Sequence, residues 1–420
     1  MNIFAIILFL FLTLISYISQ RRLYSPLLIF NALWLVLMLM STYGNLNLYP
    51  PSDTVLQIFM LGGVSYNIGF YLFFPKKQAS DTITIADFRI SDKQSKIVLF
   101  VEILLLFYYI SKAFVILRYL ASGNTYDAIR SLYFSNTNFT SVFEELFVMF
   151  IADPIILLTS IFVALSFFKQ IFSKRCMFIM ILNILLRSFI SGGRTTIFEL
   201  GVILLVCIFI FGTINKGMKK KVVRAIGLLF LLVFAGASIS SHRHGDEGSF
   251  ITIAASNVIE YFVGSFSFFD ALLADNAVVE PTYGLTTLGG ITDIFIHIFH
   301  FLGLSNTPLS YTHVGSVLAE FREIGPGEYY NAMPTMYYFF YTDFRLIGVL
   351  IFPLIFGCVS AISYKKLLEK KRVIHFILYM MIIILVVESC FNWQFERIHF
   401  FMAIVYTLSL LSKKRIISSF

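Results

Sequence analysis

The apolar run at residues 346–364 reads LIGVLIFPLIFGCVSAISY and contains no charged residue. As an α-helix it would be about 28 Å long, close to the roughly 30 Å hydrocarbon core of a bilayer. Lys365 and Lys366 follow it directly, and a second apolar run occupies residues 374–387. Long apolar runs bounded by basic residues are typical of transmembrane helices.

The composition of the whole chain points the same way. It has 420 residues, of which 58% are hydrophobic and 13% charged, with a mean hydropathy of +0.83. Soluble domains carry about 25% charged residues, so a soluble globular protein is excluded, as are a disordered chain and a disulfide scaffold. The four cysteines lie in apolar runs without a C-x-x-C pair. We interpret them as packing residues rather than as metal ligands or redox groups.

The apolar runs predict an all-α polytopic membrane protein with a single transmembrane domain over residues 1–420. Arg21 and Arg22 follow the first run and no basic residue precedes it, which predicts an uncleaved anchor with an outward N-terminus. The stretches 251–273 and 285–304 are either two further spans, giving thirteen, or re-entrant or interfacial helices within one large outer loop at 242–345. The eleven spans expected are 3–19, 26–42, 55–74, 97–117, 141–168, 176–190, 195–213, 225–241, 346–364, 374–391 and 398–412.

Basic residues mark alternate loops. Of the 32 Lys and Arg, 23 fall on one side of the alternating spans, which the positive-inside rule assigns to the cytoplasm. This pattern accounts for the net charge of +8 without nucleic acid. Eight of the remaining nine are Arg. Because the planar guanidinium group binds phosphate with two hydrogen bonds, these residues indicate an outward-facing anion site. The alternative is that the outer loops tolerate few cations and that these happen to be Arg. They are Arg118, Arg130, Arg187, Arg194, Arg243, Arg322, Arg345 and Arg397.

The hairpin at 176–213 carries two of these arginines. Ser191-Gly192-Gly193 predicts a tight turn between its arms. The first arm, residues 176–190, is too short to cross a bilayer fully. Arg187 and Arg194 are therefore expected within the outer leaflet, where a charge needs a partner or a water-filled cavity. The alternative is that both side chains reach the outer headgroups. Asp153 also lies in an apolar run and should face the protein interior.

The large outer loop opens on His242, Arg243 and His244. Histidine can act as a general base near neutral pH, and Arg can hold a phosphate. The alternative is a hydrophilic stop at the membrane surface. The His-x-His spacing, with the other histidines distant, matches no strong ligand pattern, so we expect no metal.

The segment 311–348 mixes acidic, basic and aromatic residues. Aromatic faces with carboxylates suit sugar rings, and this composition favours a glycan-binding surface; the alternative is an aromatic belt at the bilayer surface, at 337–341 above all. We find no Walker motif and no paired aspartates for a nucleotide sugar. The polar candidates in this segment are Tyr311, His313, Glu320, Arg322, Tyr330, Asp343 and Arg345.

The Arg-bearing Gly-Gly hairpin at 187–196, the segment 311–348 and the single long outer loop resemble the Wzy-type O-antigen and oligosaccharide repeat-unit polymerases of bacteria. The resemblance implies a metal-independent glycosyltransferase without cofactors in the inner membrane, with its site facing the periplasm. Its substrates would be oligosaccharides on undecaprenyl pyrophosphate, and its partners a flippase and a chain-length regulator.

In that reading the glycan is transferred to the non-reducing end of a second lipid-linked repeat unit. Arg187, Arg194 and Arg243 would stabilise the diphosphate leaving group, and Glu320, His242 or His313 would be the general base. An O-antigen ligase, a flippase or exporter, and a scaffold are the alternatives. Substrate-binding roles would fall to Arg322, His244, Tyr311, Tyr330, Asp343 and Arg345.

Overall fold

The computed structural model describes residues 1–44, 47–74, 90–125, 128–129, 141–211, 220–228, 250–275, 280–304, 307–331, 333–370 and 372–411, without the side chains of 250–261 and 311–313. It is predominantly helical, and residues 220–228 are also helical. The named helices are α1 (Asn2–Gln20), α2 (Pro26–Tyr43), α3 (Asp53–Phe73), α4 (Asp92–Ala121), α5 (Val142–Phe168), α6 (Lys174–Ser191), α7 (Thr195–Phe211), α8 (Phe250–Ala274), α9 (Gly289–Phe301), α10 (Ser310–Ala319), α11 (Met336–Lys370), α12 (Val373–Glu388) and α13 (Ile398–Leu411).

Six of these helices are long and apolar enough to cross a membrane, namely α1 to α5 and α11. The chain therefore has the architecture of a multi-pass, all-α membrane protein. Ten of the eleven predicted spans coincide with helices, and span 225–241 lies mostly outside the described residues. A count of eleven membrane crossings stays a prediction. Helix α9, at 13 residues, is about 20 Å long, which favours a re-entrant or interfacial helix over a further span at 285–304.

Helix α11 is interrupted at Phe344 and Arg345, so its long apolar part begins at residue 346, where the predicted span begins. Helix α12 ends at Glu388, three residues before the predicted end of its span at 391. Within residues 242–345, two strands form an antiparallel hairpin, β1 (Arg322–Gly325) and β2 (Glu328–Tyr330). Gly325, Pro326 and Gly327 form the turn between them, with Gly327 at φ +77°.

The chain divides into two compact units. The first comprises Met1–Ser80, Ser256–Glu369 and Met381–Ile398, and the second Asp81–Ala255, Lys370–Met380 and His399–Phe420. In the first unit the amides of Asn31 and Asn67 exchange two hydrogen bonds of 2.9 Å between α2 and α3. A Cβ on Gly357 would lie 2.1 Å from the Tyr66 carbonyl oxygen, so glycine lets α3 and α11 pack closely.

In the second unit, α5 contains a π-helical turn at Val148–Ala152. Pro154 follows, and it has no N–H to donate to the Phe150 carbonyl one turn earlier. The Tyr406 hydroxyl donates to that carbonyl instead, at 2.7 Å. A side chain of α13 thus donates a hydrogen bond to a carbonyl to which Pro154 has no N–H to donate.

Replacing Tyr406 by Phe should therefore destabilise the second unit. Loss of one hydrogen bond to a part-buried carbonyl costs about 1 kcal/mol, which corresponds to a fall in Tm of roughly 2 °C. Thermal unfolding of the purified protein in detergent measures it. Tyr17→Phe, which changes an exposed tyrosine, should leave Tm unchanged. An equal Tm for Tyr406→Phe and wild type would show that the bond contributes nothing.

Candidate functional site

Helix α11 is broken near its start. Phe344 has φ −139° and ψ 23°, and Arg345 has φ +53° and ψ −140°, a backbone that is costly for a residue other than glycine. A Cβ on Gly348 would lie 2.1 Å from the Phe340 carbonyl oxygen, so glycine is needed where the chain changes direction. The break separates a short buried helix, Met336–Asp343, from the long apolar helix that follows.

The aromatic residues of this short helix lie inside the first unit. Tyr337, Tyr338, Phe339 and Phe340 are each at most 1% exposed. An aromatic belt at 337–341 is therefore wrong for these four residues. The Tyr337 ring packs against Trp34, with the ring centres 5.0 Å apart. The helix forms part of the core rather than of the surface.

Asp343 closes the short helix. One carboxylate oxygen accepts hydrogen bonds from the Thr282 hydroxyl and the Thr286 amide, and the other from the Thr287 amide at 2.7 Å. The side chain is fully buried. Asp343, predicted to bind substrate, thus fixes the turn at 282–288 to the break in α11, and it positions neighbouring groups.

The segment between α12 and α13, residues 389–397, is also unusual. Loops normally run over the surface, yet most residues of this segment are buried. The Trp393 indole donates to the Thr287 carbonyl at 2.8 Å, and the Ser389 carbonyl accepts from the Met336 amide at 2.8 Å. In a membrane protein, irregular backbone of this kind occurs where protein covers it or where it lines a wet cavity.

Four carboxyl groups lie in or beside these irregular segments, and all are at least 94% buried. They are Asp293, Asp343, Glu388 and Glu396. The Ser310 amide donates to Asp293 at 2.8 Å. Among the described residues, no cluster of three or more His, Cys, Asp or Glu side chains is arranged to hold a metal ion.

Glu396 lies in the segment between α12 and α13, outside the predicted membrane spans. Burial raises its pKa from 4.5 to about 7, and the negative charges of Asp293 and Asp343 raise it further. The positive charge of Arg397 opposes that increase most strongly, and the nearby Ser310 hydroxyl opposes it as well. Arg397 itself is exposed. A carboxyl group with a pKa near 7 can accept a proton efficiently at physiological pH.

Glu388 adds an unsatisfied polar group nearby in sequence. It is 1% exposed, and neither carboxylate oxygen has a hydrogen-bond partner among the described residues. Gln394 lies close to it, but not with good hydrogen-bond geometry. The Tyr337 hydroxyl is buried and lacks such a partner as well. Buried polar groups without partners are rare and mark places where a polar ligand or water can bind.

Arg322 and Glu320, two predicted site residues at the start of the β1–β2 hairpin, form an ion pair with each other. The Arg322 guanidinium donates to Asp275 at 3.2 Å, to Glu320 at 2.9 Å and to the Val317 carbonyl at 2.9 Å. Its side chain is only 9% exposed, whereas that of Glu320 is 69% exposed. Arg322 is thus neutralised by two carboxylates, which leaves little of its fork for a diphosphate. Glu320 is exposed and ion-paired, a poor environment for a base.

Two further predicted residues of the first unit differ in their surroundings. Tyr330 is buried and packs edge-on against Phe268, with the ring centres 5.2 Å apart. Arg345 is half-buried at the break in α11, with its guanidinium carbon 5.4 Å from the centre of the Tyr341 ring. Of the two, Arg345 retains contact with the surface.

In the second unit, the hairpin of α6 and α7 has the predicted tight turn. Gly192 ends α6 with φ +57°, a conformation that glycine adopts without strain. Arg187 forms a bidentate ion pair with Asp153, at 2.8 and 2.9 Å. This confirms that Asp153 faces a partner, and it contradicts an Arg187 that reaches for headgroups. Arg194 is half-buried, and its carbonyl accepts from Phe198 in the first turn of α7.

The remaining predicted residues lie outside the described part of the structure. His242, Arg243 and His244 are among them, and the side chains of Tyr311 and His313 are not described. Their assigned roles stay predictions.

The sequence placed Arg397 among the arginines of an outward-facing anion site, favoured a structural over a catalytic role for Glu396, and did not mark Glu388 as a candidate. A signal was present, because Glu388 ends an apolar run and Glu396 follows Trp393 within a short polar break. No known protein family, characterised protein or solved structure matches the chain. Its function is therefore inferred from its own residues.

Proposed function

We propose that this chain is a polymerase of lipid-linked oligosaccharide repeat units in a bacterial inner membrane, with its site on the periplasmic side. The observation that carries the proposal is Glu396, a buried carboxyl group with a pKa of about 7 next to the exposed cation Arg397. By the positive-inside rule this segment lies on the outer side. A flippase and a chain-length regulator would be its partners.

The reaction needs a base and a cation. The acceptor hydroxyl oxygen attacks the anomeric carbon of the donor sugar, and the bond from that carbon to the diphosphate oxygen breaks. Glu396 takes the hydroxyl proton, and the undecaprenyl diphosphate leaves with the bonding electron pair. Arginine stabilises the growing negative charge without Mg²⁺. Arg345 and Arg397, both in the same unit as Glu396, are the candidates, and the unpartnered Glu388 carboxylate suits a sugar hydroxyl.

The pairing of Arg187 and Arg322 bears on the roles expected of them. Each guanidinium is held by carboxylates of its own unit. We therefore assign them to stability rather than to the leaving group. Arg194 and Arg243 stay candidates on the sequence alone.

A flippase or exporter of the same lipid-linked glycan is the second candidate. The break in α11 favours it, because transporters bind substrates at discontinuous helices. Against it, the two halves of the sequence show no matching pattern.

Deletion of the gene distinguishes the candidates. If the chain is a polymerase, cells lacking it should display single repeat units on their surface lipid, seen as one short band on a glycan-stained gel. Loss of even the single units would indicate a flippase. Long polymer that stays on undecaprenyl diphosphate would indicate a ligase, and an unchanged ladder would contradict any role in this pathway.

A further inference from the structure

The second unit contains a buried carboxyl group that the proposed reaction does not use. Glu102 lies in the middle of α4 and is 1% exposed. It is an acid within an apolar run, at a depth where an isolated charge is expensive. It is the only acidic residue between residues 97 and 117 of the sequence.

Two neighbouring helices supply its partners. The Asn183 amide on α6 donates to Glu102 Oε2 at 2.7 Å and to the Glu102 carbonyl at 2.9 Å. Because a backbone carbonyl can only accept, the Asn183 NH₂ group must be the one that faces Glu102. Oε2 is therefore an acceptor.

The other carboxyl oxygen lies beside Thr159 on α5. The Thr159 hydroxyl oxygen is 2.5 Å from Glu102 Oε1 and 2.7 Å from the Ile155 carbonyl. A hydroxyl has one hydrogen. If Thr159 donates it to Ile155, which is the usual bond within a helix, the hydrogen between Thr159 and Oε1 has to come from Glu102.

The charges around Glu102 fit the same assignment. The groups that face it are Thr159, Asn183 and the Cys176 thiol, and no cation among the described residues acts on it. Two ion pairs join other charged groups of these helices, Lys112 with Glu144 and Arg187 with Asp153.

We propose that Glu102 is a proton-binding site, a carboxylic acid that stays protonated at neutral pH and joins α4, α5 and α6 through Thr159 and Asn183. The proton sits on Oε1 and is donated to the Thr159 hydroxyl. Ionisation would leave the single hydrogen of the Thr159 hydroxyl to serve both Glu102 Oε1 and the Ile155 carbonyl, so one of these two hydrogen bonds would be lost.

Infrared difference spectroscopy of the full-length protein in detergent tests the assignment. At about pH 8 ordinary carboxyl groups are ionised, and a protonated acid gives a separate carbonyl band above the amide I band. Subtracting the spectrum of Glu102→Gln from that of wild type should leave one such band, which shifts in D₂O. Glu328→Gln, at an exposed position, should leave none. A carboxylate band in the Glu102→Gln difference would overturn the proposal.

Thr159→Val leaves Glu102 unchanged, so it provides a second test if the Glu102→Gln protein fails to fold. The acid band should persist and move to higher frequency, because its O–H loses the acceptor. If Thr159 instead donated to a carboxylate, this variant would leave the acid region of the spectrum unchanged, and the proposal would fail.

Discussion

Replacing Glu396 by Gln should lower the rate of polymer formation roughly 10²- to 10⁴-fold while the protein still inserts and folds. Glutamine has nearly the same shape as glutamate, but it cannot accept the proton of the acceptor hydroxyl. The rate is measured with purified protein and a lipid-linked repeat unit, by the appearance of longer glycans with time. The side chain is 6% exposed, so the substitution changes a buried group and not the surface.

The pH dependence follows from the pKa of about 7. A base works only when it is deprotonated, so the rate should rise as pH increases through about 7 and then level off. Stability should change in the opposite direction. The folded state holds this proton more tightly than the unfolded state, where the pKa is near 4.5, so the free energy of unfolding falls by on the order of 3 kcal/mol as pH rises from about 4.5 to about 7.

Glu320→Gln is the matched control. Both substitutions remove a carboxylate from the same unit, but Glu320 is exposed and ion-paired with Arg322. We expect Glu320→Gln to keep most of the activity, although the sequence alone made Glu320 a candidate base. The reverse result, with Glu320→Gln inactive and Glu396→Gln active, would indicate that Glu320 is the general base.

Replacing Asp153 by Ala should destabilise the second unit by about 3 kcal/mol, because it leaves Arg187 without its partner in a mostly buried position. The fall in Tm of the purified protein, or its loss from the membrane, measures this. Arg187→Ala should have a similar effect for the same reason.

The double variant Asp153→Asn, Arg187→Gln separates stability from catalysis. It removes both charges, so much of the stability lost in the single variants should return. If Arg187 only stabilises the fold, the double variant should also recover polymer formation. A well-folded but inactive double variant would show that Arg187 stabilises the leaving group, as the sequence resemblance implies.

The helices could be predicted from the sequence because length and apolarity alone place them. The short buried helix at Met336–Asp343 could not, because its aromatic residues suit a bilayer surface as well as a protein core. No sequence motif marks the strained backbone at Arg345 or the close approach of Gly348 to the Phe340 carbonyl, eight residues earlier.

The candidate site was predicted less well for a related reason. Charge and residue type indicated that Arg187 and Arg322 suit a phosphate, but which carboxylates neutralise them depends on packing. Glu396 resembled a structural residue because a single acid after Trp393 carries no motif. Its raised pKa arises from burial and from Asp293 and Asp343, which lie more than one hundred and more than fifty residues earlier in the chain, respectively.

We propose that this protein joins lipid-linked oligosaccharides without another enzyme, with the Glu396 carboxylate as the base. The most direct measurement is to incubate the purified protein with a lipid-linked repeat unit and a metal chelator, and to separate the products on a gel. We predict a ladder of glycans that increase by whole repeat units, with the Glu396→Gln variant giving none. Unchanged single units with the folded wild-type protein, or a ladder that persists in Glu396→Gln, would contradict the account.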